Sequence, residues 1–155
     1  MARRGSRERT LKILAAIPKE IRKAVRAEIE KQAGGIVESQ KRLVAEQSGD
    51  LRDSIRYQMG NVELDSSANL ASGKAGQGDP DLTATIIAGD RKAFYARFVE
   101  FGTAPHENGG AFAGTQHPGT AAQPFFYGPF RANKKRAKSA VSRAIGKAVK
   151  AAVNK

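Results

Sequence analysis

Apolar residues recur at every third or fourth position through the first third of the chain. Between residues 18 and 46 they form one stripe, with Lys, Arg and Glu on most of the intervening positions, a pattern typical of an amphipathic helix. Pro18 suits the first position of this helix, which we predict to run roughly from Pro18 to Glu46. Gly34 and Gly35 together cost about 2 kcal/mol relative to alanine in a helix interior, so we expect a kink or a break there. The stripe consists of Ile21, Val25, Ile29, Ala33, Ile36, Val37, Leu43 and Val44.

The first 17 residues form a separate basic segment. Leu11, Leu14 and Ile17 lie at helical spacing within it, so we predict a basic arm or a short helix over residues 1–17. The segment lacks the apolar run of a signal peptide. The sequence also contains no stretch of 18 apolar residues, and we expect no membrane span.

Two segments in the middle of the chain favour β-strands. Residues 55–64 partly alternate between apolar and polar side chains, and residues 82–88 are rich in Thr and Ile, which is typical of strands. Residues 65–80 lie between them and consist mostly of Ser, Gly, Asn, Asp and Ala, so we predict a mobile loop or a hairpin tip. Asp90 is placed to cap a helix that ends at Gly102.

The last third of the chain changes from loop to helix. Residues 104–123 are rich in Gly and Pro and are predicted to form a second mobile loop. Residues 131–155 are predicted to form a basic C-terminal helix. Its apolar stripe, which repeats every four residues, is thin and mostly alanine, so its burial is weak. We expect this helix to dock loosely or to await a neighbouring subunit.

These elements predict one domain over residues 1–155 with an α+β fold. A long N-terminal helix and a C-terminal helix are expected to pack on a small, mainly antiparallel sheet, with long loops at residues 65–80 and 104–123.

The charge of the chain is concentrated at its two ends. The net charge is +12, and residues 131–155 contain nine Lys or Arg and no Asp or Glu. Basic ends commonly meet an anionic partner, such as nucleic acid, a membrane surface or an acidic protein. A solvated face that keeps the protein soluble explains the same pattern equally well.

Candidate catalytic chemistry is sparse. Cysteine is absent, which excludes disulfides, thiolate metal sites and thiol nucleophiles. The two histidines, His106 and His117, have no zinc-ligand spacing. Glu100 has no evident partner for general acid–base catalysis, and we expect it to form an ion pair near a helix end. The sequence therefore predicts no enzymatic activity, no cofactor and no metal.

Aromatic residues are concentrated in one short segment. Phe94, Tyr95, Phe98 and Phe101 fall within eight positions. Because aromatic side chains are mostly buried for packing, the favoured interpretation is a core stripe on a helix. The alternative is that one face of this segment contacts another subunit.

Three clusters together resemble the tail-completion, or head–tail joining, proteins of long-tailed bacteriophages of the siphophage type and of phage-derived gene transfer particles. Residues 48–55, Ser-Gly-Asp-Leu-Arg-Asp-Ser-Ile, resemble a turn that follows the family's long helix. Residues 95–103, Tyr-Ala-Arg-Phe-Val-Glu-Phe-Gly-Thr, are similar to the family's Tyr-Ala-x-x-Val-Glu-Phe-Gly-Thr. Residues 124–129, Pro-Phe-Phe-Tyr-Gly-Pro, resemble the segment before its C-terminal helix. The resemblance covers about residues 18–150.

This resemblance implies a virion protein at the junction of tail and neck, present in the host cytoplasm during assembly. It implies a ring, with six subunits expected, between a tail-tube protein below and a neck, head-completion or adaptor protein above. DNA would pass through its channel. The residues expected at the subunit or partner interface are Tyr95, Phe98, Glu100, Phe101, Pro124, Phe125, Phe126 and Tyr127. Those expected to form turns or caps are Ser48, Gly49, Gly102 and Thr103.

Two other functions remain open from the sequence. A basic nucleic-acid-binding protein of nucleoid or ribosomal type would explain the basic C-terminal segment, and a small hydrolase would use Glu100 or His117. In a ring, the basic helix would either line a DNA channel or hold an acidic surface of a neck or tail-tube protein. We favour the acidic surface, because tight phosphate binding would hinder passage of DNA.

Overall fold

A computed structural model describes the chain over residues 18–44, 49–60, 62, 70–72 and 78–153. The predicted arm at residues 1–17 and the predicted cap Ser48 lie outside these residues. The helices are α1 (Lys19–Lys41), α2 (Asp50–Ser54), α3 (Ala96–Phe101) and α4 (Tyr127–Val153), and the strands are β1 (Arg56–Met59), β2 (Leu70–Ala71), β3 (Ala84–Ala88), β4 (His106–Glu107) and β5 (Gln116–His117).

Helix α1 begins directly after Pro18, as the sequence predicts, and continues through both glycines. Of the kink or break expected at Gly34 and Gly35, the break is therefore wrong. A Cβ atom at Gly34 would lie 3.8 Å from Cε1 of Tyr57, an ordinary van der Waals distance, and one at Gly35 would meet no atom within 4 Å. Close packing therefore does not require either glycine. Ile36 and Val37, in the next turn, are buried. Packing of the helix on the sheet thus offsets the helix-forming cost of the two glycines.

The main sheet has three antiparallel strands in the order β1-β3-β2. Strand β3 is central and buried over Thr85–Ala88, and Arg56 pairs with Ile87. Strand β2 lies within the predicted loop of residues 65–80, which is a correction. Leu70 pairs with Ala88 and is 2% exposed. A single leucine among polar residues does not produce the alternation of apolar and polar positions by which a strand is recognised in a sequence.

The two long helices and the sheet enclose one core, which confirms the predicted α+β fold. Helix α4 contacts α1 through small residues: Ala140 is buried, and Ala137, Ala144 and Ala148 are half-buried. Ile145 and Val149, in the aliphatic row beside these alanines, are 41% and 42% exposed. The core cluster consists of Ile36, Val37, Val44, Leu51, Ile55, Leu70, Ile86, Ala88, Ala93, Ala96, Phe125 and Phe126.

A buried carboxylate ties the turn before β3 to the start of α1. Asp79 accepts a hydrogen bond from Arg22 Nη2 at 2.7 Å and from the backbone N–H groups of Asp81 and Leu82 at 2.9 and 3.0 Å. Burial acts to raise the pKa of Asp79, but the hydrogen bonds from Asp81, Arg22 and Leu82 together outweigh it, so its pKa lies below the ordinary value. The ionised form of Asp79 is therefore the one that stabilises the fold.

We expect Asp79→Asn to lower the free energy of unfolding by about 1–3 kcal/mol at pH 7, because the charge-assisted hydrogen bonds are lost. A depressed pKa stabilises the fold above the unfolded-state value, and this stabilisation disappears as the pH falls through the folded-state value. The difference between the wild type and Asp79→Asn should therefore shrink below about pH 4. Urea denaturation at pH 7, 5, 4 and 3 measures this difference in the free energy of unfolding. Asp53→Asn, at an exposed position, is the control. A difference between the wild type and Asp79→Asn that stays constant with pH would contradict the conclusion that ionised Asp79 stabilises the fold.

Candidate functional site

Helix α3 turns its large aromatic side chains away from the core. Ala96 and Glu100 lie four residues apart on its inner face and are buried, consistent with one helix turn. Phe94, Phe98 and Phe101 point to solvent and are 62%, 52% and 56% exposed. We call these three residues the phenylalanine surface. The core interpretation is wrong for them, whereas the neighbouring side chains Tyr95 and Val99 do pack against the core.

Glu100 caps the C-terminal helix. Its Oε2 atom accepts hydrogen bonds from the backbone N–H groups of Phe125 and Phe126, both at 2.8 Å. Its Oε1 atom accepts one from the backbone N–H of Tyr127 at 3.0 Å. Helix N-termini carry unsatisfied N–H groups and a partial positive charge, so a carboxylate is the matching side chain. Glu100 is 3% exposed, and both the predicted ion pair and the predicted interface role are corrected by this geometry.

The aromatic pair that precedes α4 lies in the core. Phe125 and Phe126 are fully buried, with their ring centroids 6.3 Å apart in an edge-to-face arrangement. Gln40 Nε2 donates a hydrogen bond to the carbonyl oxygen of Phe126 at 2.9 Å. These two rings anchor the start of α4 to α1 and the sheet. They are therefore corrected from interface to core residues, since reaching a neighbour would require α4 to be displaced.

The other predicted residues of this segment are at or near the surface. Pro124 is exposed and Tyr127 is half-buried. The ring of Tyr127 lies 6.0 Å from that of Phe101, and the guanidinium of Arg131 lies over it at 5.9 Å. Tyr127 therefore borders the phenylalanine surface.

The glycines predicted to form turns adjoin the two short helices, one before α2 and one after α3. Gly49 precedes α2 with φ 80°. Gly102 follows α3 with φ 71°, and a Cβ atom there would lie 2.5 Å from the carbonyl oxygen of Thr120. Thr103 pairs with Thr120 through backbone hydrogen bonds of 3.0 and 3.1 Å. Gly102 thus allows the chain to leave α3 and to begin the next segment in close contact with Thr120.

Residues 103–120 form a projecting hairpin, which we call the arm. Strands β4 and β5 pair His106 with His117, whose rings stack with centroids 5.0 Å apart. The predicted loop of residues 104–123 therefore contains regular structure, and its mobility stays a prediction. Phe112, at the tip, is 71% exposed.

An apolar groove of about 590 Å³ lies between α2 and α3. Phe98 forms part of its wall and also lines a second depression of about 450 Å³ at the base of the arm. Grooves with predominantly apolar and aromatic walls accept apolar side chains. Among the described residues there is no group of three or more His, Cys, Asp or Glu that would hold a metal ion. The groove is lined by Val44, Gly49, Leu51, Arg52, Tyr95, Phe98, Val99, Thr120, Ala121 and Gln123.

Helix α4 presents a basic face. All of its Lys and Arg side chains are exposed, and the helix contains no Asp or Glu. The ion pairs found in the described part of the chain involve α1 and the turn at residues 79–81 instead. The cations of α4 therefore remain available to an anionic surface. They are Arg131, Lys134, Lys135, Arg136, Lys138, Arg143, Lys147 and Lys150.

Comparison with known families identifies a phage protein family. The family model described as "Bacteriophage HK97-gp10, putative tail-component" matches residues 8–102. This range contains α1, α2, the three-stranded sheet and α3, and it ends at the glycine that follows α3. The arm and α4 lie beyond it. No curated protein and no solved structure matches the chain. Over the described residues, no helix combines the length and the apolar character needed to cross a membrane.

Proposed function

Because the chain belongs to the HK97-gp10-like family of bacteriophage tail components, we propose that it completes the tail and joins it to the head. In this proposal, copies of the chain form a ring of six at the head-proximal end of the tail. The role is structural, without catalysis or cofactor. The observation that carries the proposal is the phenylalanine surface, which a monomer leaves in solvent.

The exposed aromatic area is large enough to form a substantial part of a protein interface. A phenylalanine buries roughly 150–250 Å² when fully enclosed. Phe94, Phe98 and Phe101 are each more than half exposed, so together they offer roughly 250–400 Å². A stable interface of standard size buries about 800 Å² on each partner. Exposed aromatic side chains concentrated in one segment commonly mark an interaction site.

A ring requires two different surfaces on each subunit, because head-to-tail contacts are heterologous. The phenylalanine surface with its groove is one of them. The basic face of α4 is then free to contact an acidic surface above or below the ring. We propose a tail-tube protein and a neck, head-completion or adaptor protein as these neighbours, with DNA passing through the channel. The protein would be located at the tail–neck junction of the virion and, before assembly, in the host cytoplasm.

Gene deletion tests this proposal directly. Removing the coding sequence from the phage genome that carries it should leave filled heads and tails that are not attached to one another in electron micrographs. Wild-type protein supplied from a plasmid should restore joined particles. Joined, infectious particles in the absence of the protein would contradict the proposal.

A nucleic-acid-binding function is the second candidate, and the exposed cations of α4 favour it. Phosphate contacts give an affinity that falls steeply with salt. An electrophoretic mobility-shift titration of the isolated protein between 50 and 200 mM salt distinguishes the two functions. Sub-micromolar DNA binding by the monomer would favour this candidate over the joining role.

A further inference from the structure

We infer that the arm of one subunit lies on the next subunit and places Phe112 in the groove between α2 and α3. This inference rests on the proposed ring and names the two surfaces that meet in it. The occupant of the groove is a second copy of this chain.

The arm has regular hydrogen-bonded structure although it packs on little else in the described part of the chain. Residues 104–107 and 109–116 are all exposed. The arm is held by its own hydrogen bonds, including Asn108 Nδ2 to Thr115 Oγ1 at 2.8 Å and Thr115 Oγ1 to the carbonyl oxygen of Phe112 at 2.7 Å. A segment held in one conformation loses less entropy on binding than a flexible one. The arm is therefore suited to presenting its tip to a partner.

Phe112 is the most exposed of the large hydrophobic side chains in the described residues. Two glycines with positive φ, Gly110 at 61° and Gly114 at 85°, flank it and shape the tip. This backbone conformation is accessible to glycine with little strain. The tip thus holds a phenylalanine outward in a turn built around it.

The groove matches this side chain in chemistry and size. Its wall includes the rings of Tyr95 and Phe98 and the aliphatic side chains of Leu51 and Val99. Aromatic rings pack favourably edge-to-face or offset on one another. A volume of about 590 Å³ accommodates a phenylalanine ring together with its neighbours in the tip.

The same subunit cannot fill its own groove with Phe112. Thr120, at the base of the arm, lines the groove, and it is held to Thr103 by backbone and side-chain hydrogen bonds. At a rise of about 3.3 Å per extended residue, the paired segment from Thr103 to Asn108 carries the tip roughly 15 Å from this base, and Phe112 itself is 71% exposed. The tip of the arm therefore reaches outward from its own groove, as a head-to-tail ring requires.

One charge on each surface is complementary. Glu107 is the one formally charged residue of the arm at neutral pH. Arg97 is exposed on α3 next to Phe98, which forms part of the groove wall. Opposite charges on two meeting surfaces favour orientation and raise the association rate.

Cross-linking between differently tagged copies tests the arm–groove contact. The chain has no cysteine, so single-cysteine variants report unambiguously. Ala113→Cys lies beside Phe112 in the arm, and Ala121→Cys lies in the groove; both positions are exposed. After the two variants are mixed at an assembling concentration, a short bismaleimide should link them at least about tenfold more than the control pair of Ala113→Cys and Ser142→Cys, whose second cysteine lies on α4. A ring that forms with equal linking of both pairs would overturn the inference.

Substitution of the tip provides a second readout. We expect Phe112→Ser to raise the dissociation constant of self-association at least about tenfold, with Phe112→Leu retaining most of the affinity. Unchanged circular dichroism would show that the exposed substitution leaves the fold intact. A Phe112→Ser variant that assembles like the wild type would overturn the inference and leave the ring intact. Wild-type protein that stays monomeric at about 1 mM would instead contradict the proposed ring itself, together with this inference.

Discussion

Replacing Glu100 with Gln should destabilise the protein by about 3 kcal/mol or more, although it removes only one formal charge. The Glu100 carboxylate accepts hydrogen bonds from the backbone N–H groups of Phe125, Phe126 and Tyr127. A Gln side chain turns an N–H₂ group toward at least one of these donors, and each unsatisfied buried donor costs about 1–3 kcal/mol. For a domain of this size, the expected fall in the melting temperature is about 6–12 °C.

Thermal and urea denaturation followed by circular dichroism measure this effect. Glu107→Gln is the matched control, because it makes the same chemical change at an exposed position in the arm and should shift stability by less than about 0.5 kcal/mol. Hydrogen exchange adds a local readout: the amides of residues 125–127 should lose protection in Glu100→Gln. Equal stability of the two variants would show that Glu100 does not cap α4.

The double substitution of Phe98 and Phe101 with Ser should abolish self-association and leave the monomer folded. Both side chains are more than half exposed, so their loss removes little packing within the subunit. Aromatic residues at the centre of an interface commonly contribute 2 kcal/mol or more each, which corresponds to roughly a 30-fold increase in the dissociation constant for each residue. For the two residues together, we therefore expect the dissociation constant of self-association to increase by about three orders of magnitude.

Sedimentation velocity and native mass spectrometry across a concentration series measure this change. Val149→Ser is the control, since Val149 is also an exposed apolar residue, 42% exposed, but lies on α4. The same variants should be compared for restoring joined particles to a phage that lacks the gene. Wild-type association by the double variant would show that the phenylalanine surface has another role.

The sequence predicts the long elements of the fold because their patterns are long. The stripe that becomes α1 extends over several turns, and the Thr- and Ile-rich run becomes the central strand β3. Short elements are not predictable in this way. Strand β2 has two residues, and only its pairing with β3 buries Leu70. The pair of glycines in α1 favours a kink or a break in the local sequence, because the burial of Ile36 and Val37 against the sheet is a tertiary contact that the local sequence does not show.

The candidate site could be located from the sequence, but its orientation could not. The concentration of aromatics at residues 94–101 marks the segment, and hydrophobicity alone would place these rings inside. The buried positions of α3 are instead Ala96 and Glu100. The backbone donors that make burial of Glu100 favourable belong to residues 125–127, far along the chain. Contacts with residues distant in the sequence therefore decide that Glu100 faces inward and that Phe98 and Phe101 face outward. The local sequence does not show these contacts.

Electron cryomicroscopy of purified particles would show directly whether the chain joins tail and head. We expect a ring of this chain at the junction of tail and head, with Phe98 and Phe101 of each copy in contact with the adjacent copy. A map in which the chain is absent from that junction, or is present with these two side chains in solvent, would contradict it.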